Sequence, residues 1–476
     1  MNIEAKRSNI TDEILNKNQD MLFQAKMLHK GPVHLLFPQE MIENIKKIKK
    51  IFIDTELEIK IFFAYKSNSK IPFAKQAKKE GIFIDVASEN ELSSALSAGF
   101  IGSEIECTGP KNNSFLTLAI HHQCLISVDS LEEIKSISKL TEQIGKKVEI
   151  LIRLNDLESK DRNILIKRSR FGISKNDLEK AYNILKKSNW INLKGFHFHS
   201  DGYDIETKSG FLSEMIEITQ RAWKDEGLSP TILNMGGSWR NPILKNSKNW
   251  SKFIEKMGEE IIKGKNTLVW GNNFYGMKKN ERGRISGREN AIMKSYESNI
   301  EKDLKNLVSN DSLLGRKISS IINENMFELA IEPGFSLLDG CAMTITEIAD
   351  VKKSDKDVYH IVIDANIYNL STAKMFEIIA DPVLVKPTNN KNNKKCEAFI
   401  FGNLCTEDDV IIKRKIFLDK IPEKGDLICF LNTAAYNTNF EDASPILHEK
   451  GKSFCIVKKN NKFLLIDEKK YNPYEK

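Results

Sequence analysis

The feature that most constrains this chain is a rhythm. From Ile59 onward, short apolar runs recur, each separated from the next by a helix-length amphipathic stretch. The runs are Ile59–Ala64, Ile82–Val86, Ile105–Thr108, Leu125–Val128, Val148–Leu154, Leu193–His199, Thr231–Met235 and Phe327–Ile331. The first two helical stretches between them span Ile71–Lys79 and Glu89–Gly99. Single apolar strands alternating with helices predict parallel strands covered by helices. Eight such units close an α/β barrel of the (β/α)8 type, an architecture of about 250 residues.

The rhythm lapses between Asn241 and Asn325, where Gly271–Arg288 is rich in Gly, Asn and Arg. This reads as a barrel unit enlarged by an insertion, because long loops in compact domains are commonly functional. After Leu337 the texture changes to short β-like runs at Ala342–Val351, Val358–Ile363, Ala398–Gly402, Leu427–Leu431, Phe454–Val457 and Phe463–Ile466. Few helix signals separate them, which predicts an all-β C-terminal domain. The first forty residues read as helical, then irregular. The expected division is a barrel over 35–336 with an insertion at 241–325, and a β-rich second domain from 1–34 and 337–476.

Composition excludes several function classes. In 476 residues, 41% are hydrophobic, too many for a disordered chain. No apolar run approaches the ~20 residues of a membrane span, and the N-terminus lacks the apolar core of a signal peptide. The expectation is a cytoplasmic protein that engages no membrane. A net charge of +7, spread along the chain, does not make the clustered basic face that nucleic acid requires. The seven cysteines are scattered and form no Cys-x-x-Cys pair, so neither a disulfide framework nor a metal site is expected.

Seven short segments carry chemical groups at places where chemistry can happen. Lys66 directly follows the first barrel strand, and the C-terminal ends of barrel strands are where catalytic residues sit. Asp85 ends the second strand, followed by Ser88 and Glu91 in capping-box spacing. His197 and His199 share one face of a strand and could bind a metal, stack on a ring, or simply pack. Gly236 and Gly237 follow a strand, where backbone can approach a phosphate closely. Glu332-Pro333-Gly334 places another carboxylate at a strand end. Cys405 lies after a β run and before a group of acids that includes Glu407, and Tyr436 ends a run of small residues.

In this order the seven resemble the fold type III pyridoxal-phosphate decarboxylases, the group of diaminopimelate and ornithine decarboxylases. The resemblance runs from about Phe62 to Phe440. It implies pyridoxal 5'-phosphate carried covalently by Lys66, with Asp85 near that lysine and His199 stacked on the ring. It implies a phosphate site at Gly236 and Gly237, with Gly334 and Tyr436 contributing. It further implies that Glu332 pairs with the ring nitrogen, and Arg153 resembles the family arginine on a mid-barrel strand. Cys405 would come from the second subunit of a homodimer to protonate the substrate carbon. The chemistry asks for these types, because the protein positions and tunes the cofactor. A thiol, with a reference pKa of ~8.5, stays largely protonated at neutral pH.

The chain also departs from its relatives. Diaminopimelate enzymes usually read Glu-Pro-Gly-Arg, where this chain has Phe335 in the fourth place. Thr372 stands where they carry a second arginine, and both arginines bind substrate carboxylate there. The family His-x-Gly-Ser is altered to His199-Ser200-Asp201-Gly202. Losing two bidentate carboxylate clamps should change substrate choice greatly. Arg240, Arg282, Arg284 and Arg288 offer new cations, and the substrate set is read as Phe335, Thr372, Arg240 and Glu407. The chain looks like members of the group that decarboxylate amino acids already joined to citrate, such as N-citrylornithine, in carboxylate-siderophore (rhizoferrin-like) pathways. The alternatives are a free diamino acid (ornithine, lysine or meso-diaminopimelate), a racemase, or a non-catalytic regulatory homologue.

Overall fold

The computed structural model describes residues 2–158, 169–200, 205–287, 297–311, 315–354, 358–370, 377–387, 394–441 and 444–475. Thr372, Arg288, Asp201 and Gly202 lie outside the described residues. The chain divides into two compact units: one of 42–240, 298–337 and 472–476, the other of 1–41, 241–297 and 338–471.

The first unit contains a closed parallel barrel, as the rhythm predicts. Its strands are Ile59–Ala64, Phe83–Val86, Ile105–Cys107, Leu125–Val128, Val148–Leu154, Ile191–Phe198, Ile232–Asn234 and Glu328–Ile331. The last strand closes the ring by pairing with both the seventh and the first. Phe62, Leu125, Leu151, Ile232 and Ala330 pack into one buried cluster. The helices between strands start on side-chain caps: Ser88, Asn112 and Ser130 each accept a backbone N–H three residues on. At Ser88 the expected capping box is rearranged. Glu91 N donates to Ser88 Oγ, but the Glu91 carboxylate accepts from Ala87 N rather than from Ser88 N.

Parallel register sets the polar layer of the barrel. Ala64 pairs with Asp85, and Asp85 with Glu106. Arg153 pairs with His197, and His197 with Asn234. Register partners on neighbouring strands point to the same face, so these groups converge on the barrel interior.

The second unit is a mostly antiparallel sheet. Its main path runs Val410–Leu418, Cys396–Phe401, Val358–Ile363, Ala342–Lys353, Val33–Leu36, Lys452–Lys459, Lys462–Asp467. Leu427–Leu431 also pairs with Ala342–Lys353, and Val383–Val385 with Leu427–Leu431. Three of these strands escape the sequence reading, the short Val383–Val385 among them. Val33–Leu36 sits in the sheet with all four residues buried, so it shows no alternation. The expected boundary at 34/35 falls inside it, and the units divide between Met41 and Ile42. Val410–Leu418 is hidden by its Lys413-Arg414-Lys415 core, of which Arg414 is fully buried against Asp381 at 2.7 Å.

The segment expected as a barrel insertion divides between the units: 241–297 belongs with the sheet and 298–325 with the barrel. Aromatic packing accounts for the first part. Trp270 lies edge-on to His360, Phe399 and Phe401, with centroids 5.2, 5.3 and 4.8 Å away. Its backbone N–H donates to Lys413 O at 2.8 Å. The segment also holds the helix Lys248–Lys263 and a small hairpin of Lys278–Lys279 and Ile285–Ser286. Arg282 and Arg284 are exposed on that hairpin. Among the described residues no helix is long and apolar enough to cross a membrane.

Candidate active site

The site is built at the C-terminal ends of the barrel strands. Lys66 lies in a 3-10 turn, Tyr65–Ser67, immediately after the first strand. Tyr65 is buried and its hydroxyl hydrogen-bonds Ser94 at 2.9 Å, which anchors the turn from beneath. Gly334 packs against the same turn. A Cβ there would sit 2.8 Å from Ser67 Cβ and 3.3 Å from Ala64 Cβ, so only glycine permits this approach.

Lys66 Nζ is 3.7 Å from Asp85 Oδ2. Thr108 Oγ1 donates to the other Asp85 oxygen at 2.5 Å. Burial pushes the Asp85 carboxyl up to about 7, with the Glu332 charge adding and the Lys66 ammonium opposing. Glu332 behaves oppositely. Burial opposes its ionisation, but the combined pull of His197, His199 and Lys66 holds it well below the usual carboxylate range. Glu332 Oε1 accepts from Asn234 Nδ2 at 2.9 Å and lies 3.2 Å from His197 Nε2. His197 Nδ1 is 2.7 Å from Ser127 Oγ.

The glycine turn docks on His199. Gly236, at a φ of +62°, leaves a hypothetical Cβ 2.5 Å from Phe198 O, and Gly237 leaves one 2.9 Å from Glu332 O. Gly237 N donates to His199 Nδ1 at 3.3 Å, which leaves the ring hydrogen on Nε2. Burial pushes the His199 imidazole pKa down, consistent with a neutral ring. Lys208, buried on the helix Ile205–Glu226, donates to Gly237 O at 2.7 Å and lies 4.6 Å from the Trp239 ring centroid.

The barrel thus brings together Lys66, Asp85, His199, Gly236, Gly237, Glu332 and Gly334. Arg153 lies in the same layer, 3.7 Å from Asp129 and stacked at 4.8 Å on Phe171. Phe335, half-buried, follows Gly334. Arg240 makes a bidentate pair with buried Asp303 at 2.8 and 2.6 Å, so its guanidinium serves the barrel's own packing. Cys405, Glu407 and Tyr436 belong to the other unit. Cys405 and Glu407 are exposed on a loop folded around Asp409, whose carboxylate accepts from Ile367 N and Leu404 N. Tyr436 has a φ of +66°, a strained conformation for a bulky residue.

Sequence reasoning overlooked three interior groups: His197 as a partner of Glu332, Asn234, and Glu106. His197 was flagged by its spacing from His199 alone. Asn234 immediately precedes Met235-Gly236-Gly237, and its Oδ1 accepts from Gly236 N at 2.8 Å. Glu106 interrupts an apolar run, the one visible sign of a buried acid.

The arrangement can be tested for the implied cofactor by its unsatisfied atoms. Asp85 Oδ2, Glu332 Oε2 and Ser200 Oγ are buried without a hydrogen-bond partner. Buried polar atoms of this kind call for a missing partner. They fit the ring of pyridoxal phosphate: Glu332 would meet the ring nitrogen and Lys66 beside Asp85 would bind the aldehyde carbon, whereas the Gly236 and Gly237 N–H groups expected at the phosphate are already given to Asn234 Oδ1 and His199 Nδ1. The ligand atoms of His197, His199 and Glu332 lie within 4.8 Å of one another, close enough also to hold a metal ion.

Comparison with known proteins agrees with this geometry. Residues 39–267 match the pyridoxal binding domain of the pyridoxal-dependent decarboxylases, and residues 335–434 match the C-terminal sheet domain of the same family. The chain belongs to the pyridoxal-dependent decarboxylase family that acts on ornithine, diaminopimelate and arginine. It is a pyridoxal-phosphate-dependent amino-acid decarboxylase, which sets aside the racemase and non-catalytic alternatives. An uncharacterized protein of Sinorhizobium fredii is 26% identical, covering 94% of this chain and 92% of its own length. The diaminopimelate decarboxylase of Staphylococcus aureus is 24% identical, covering 90% and 91%. An L-glutamyl-(BtrI acyl-carrier protein) decarboxylase of Niallia circulans is 22% identical, covering 87% and 86%. Among solved structures, diaminopimelate decarboxylase of Helicobacter pylori complexed with L-lysine superposes with a TM-score of 0.69 at 17% identity, covering 94% and 96%.

Proposed function

We propose that this decarboxylase removes the α-carboxylate of an ornithine-type amino acid whose distal amine already carries a bulky acidic group, with N-citrylornithine as the candidate, in assembly of a rhizoferrin-like siderophore. The observation that carries the reading is Phe335. A half-buried phenyl ring stands directly after Glu332-Pro333-Gly334, where a free dicarboxylic diamino acid would want a cation. The Niallia circulans relative, named for a glutamyl group on a carrier protein, is a precedent within this similarity range for an amino acid joined to a larger group. A second reading, a free diamino acid as substrate, is favoured by the Staphylococcus aureus relative, which matches the chain nearly end to end.

Pyridoxal phosphate, when bound, supplies the electron sink for the pair left by the departing carboxylate. The residues of this chain do the rest. Lys66 holds the cofactor, and Asp85 sits beside its ammonium. Glu332 keeps the ring nitrogen protonated, which its low pKa allows. His199, neutral and fixed by Gly237 N, presents a flat face to the ring. Arg153 adds positive potential to the same layer. Tyr436 contributes at the phosphate, and Cys405, offered by the second subunit of a homodimer, delivers the proton to the α-carbon. Thr372 and Glu407 complete the substrate set, whereas the Asp303 pairing leaves Arg240 a structural part.

A site shaped for a large polyanion draws on remote contacts to accelerate the chemical step. The conjugate should therefore exceed free ornithine in kcat/KM by at least ~100-fold, about 2.7 kcal/mol of transition-state binding. Carbon dioxide release from N-citrylornithine, ornithine, lysine and meso-diaminopimelate measures this directly. Comparable rates for any free diamino acid would favour the second reading.

A further inference from the structure

Glu106 has no part in the chemistry above, yet it is wholly buried in the barrel. A carboxyl group there is costly unless it is well partnered. Among the described residues its hydrogen-bond partner is one amide. Asn234 Nδ2 lies 3.0 and 2.8 Å from the two Glu106 oxygens and 2.9 Å from Glu332 Oε1. On its other side Asn234 Oδ1 accepts from Gly236 N at 2.8 Å. One side chain therefore joins the glycine turn, Glu106 and Glu332.

The amide cannot be reversed. A flip would turn its oxygen toward two carboxyl groups and its NH2 toward the Gly236 N–H, losing three hydrogen bonds at once. Both amide hydrogens are committed, one to each acid. Glu332 Oε1 is thus fixed, and Oε2 is the atom left without a partner.

We propose that Asn234 and Glu106 are positioning residues for Glu332: their bridge pins Oε1 and so presents Oε2 to the ring nitrogen of the cofactor. This rests on the assignment of Glu332 to that nitrogen. Glu106 suits the task because both of its oxygens face the one amide. Burial first, and then the Glu332 and Asp85 charges, push its carboxyl well above the usual range. Lys111, the cation nearest to it by chain position, opposes this weakly and is itself held by Glu133 at 2.8 Å. Burial therefore disfavours the anion at Glu106, while Glu332 is the acid held ionised.

Three variants separate this role from simple packing. Asn234→Asp keeps the acceptor for Gly236 N but removes the donor to both acids. Glu106→Leu removes the acceptor, and Glu106→Gln restores an acceptor oxygen that cannot ionise. The readouts are pyridoxal phosphate affinity of the cofactor-stripped protein, the pH at which the absorbance of bound cofactor changes, and kcat separately from KM. Asn234→Asp and Glu106→Leu should weaken cofactor binding by about 10-fold or more, shift the absorbance transition, and lower kcat by ~10–100-fold with KM little changed. Glu106→Gln should recover most of the affinity and the wild-type absorbance profile.

Folding is checked by circular dichroism. Should Asn234→Asp not fold, the double variant Glu106→Gln/Asn234→Asp, which relieves the added acid clash, is read in the same way. Wild-type affinity and absorbance in folded Asn234→Asp and Glu106→Leu would overturn the proposal. So would a Glu106→Gln protein as defective as Glu106→Leu, because an acceptor oxygen at that place would then not suffice. Glu332→Gln serves as the reference. If it leaves the cofactor absorbance unchanged, the assignment of Glu332 itself fails; if it shifts the absorbance while Asn234→Asp does not, only the supporting role fails.

Discussion

The barrel unit and the sheet unit treat their chemical groups in opposite ways. In the barrel, Asp85, Glu106, His197, Asn234 and Glu332 are all buried, and each is tied to a neighbour in the same layer. In the sheet unit, Cys405 and Glu407 are exposed, and only the backbone of their loop is fixed, by Asp409. Buried polar groups must be partnered within their own domain, so the fold itself arranges them. Exposed groups on loops need no partner to be stable, and acquire a role from what they meet. A barrel residue should therefore fail alone when mutated, whereas a sheet-unit residue can be supplied by another chain.

The largest effect is expected at Lys66. Lys66→Ala should abolish measurable decarboxylation, and borohydride reduction of the wild-type holoenzyme should leave the phosphopyridoxyl label on the Lys66 peptide. A label on any other lysine would break the barrel side of the comparison at its root. Glu332→Gln comes next. It should keep cofactor bound yet slow turnover by about 10^2–10^3-fold, because the ring nitrogen loses its anionic partner in a site with little water to screen it. Near-normal turnover would mean that this buried layer is structural rather than catalytic.

The sheet side is tested by mixing. Lys66→Ala and Cys405→Ala proteins are each expected to be inactive or nearly so. If Cys405 serves the second subunit's site, exchanged mixtures should regain activity in about a quarter of sites, since half the dimers are mixed and each has one intact site. No recovery despite demonstrated subunit exchange would place Cys405 in its own chain's site or outside catalysis.

The same contrast explains what could be read from the sequence. The barrel strands were legible because each is a short apolar run bounded by a helix, and Lys66, Asp85 and Glu332 were legible because they end such runs. Asn234 and Glu106 were not, since they acquire meaning only through register across the ring. Val33–Leu36 was hidden by burial on both faces, and Val410–Leu418 by three consecutive cations, of which Arg414 is buried against distant Asp381. The partition of 241–325 depended on Trp270 finding His360, Phe399 and Phe401, a contact that no local pattern announces.

The smallest expected effect sharpens what burial costs the barrel. The Asp85 carboxyl is raised to about 7 in the folded, cofactor-free chain, chiefly by burial, against ~3.9 when unfolded. Between those values the folded chain keeps the proton and the unfolded chain has released it. The unfolded state then binds fewer protons, so stability falls as pH rises from about 4 to about 7 and is level above that. Asp85→Asn removes this titration while its amide oxygen can still accept from Thr108 Oγ1. The cofactor-free variant should match wild type near pH 4 and exceed it by roughly 1–3 kcal/mol at pH 8, measured by urea unfolding. Turnover should move the other way, because the carboxylate beside Lys66 is lost. A variant that is no more stable than wild type at pH 8 would show that Lys66, at 3.7 Å, already compensates the buried charge.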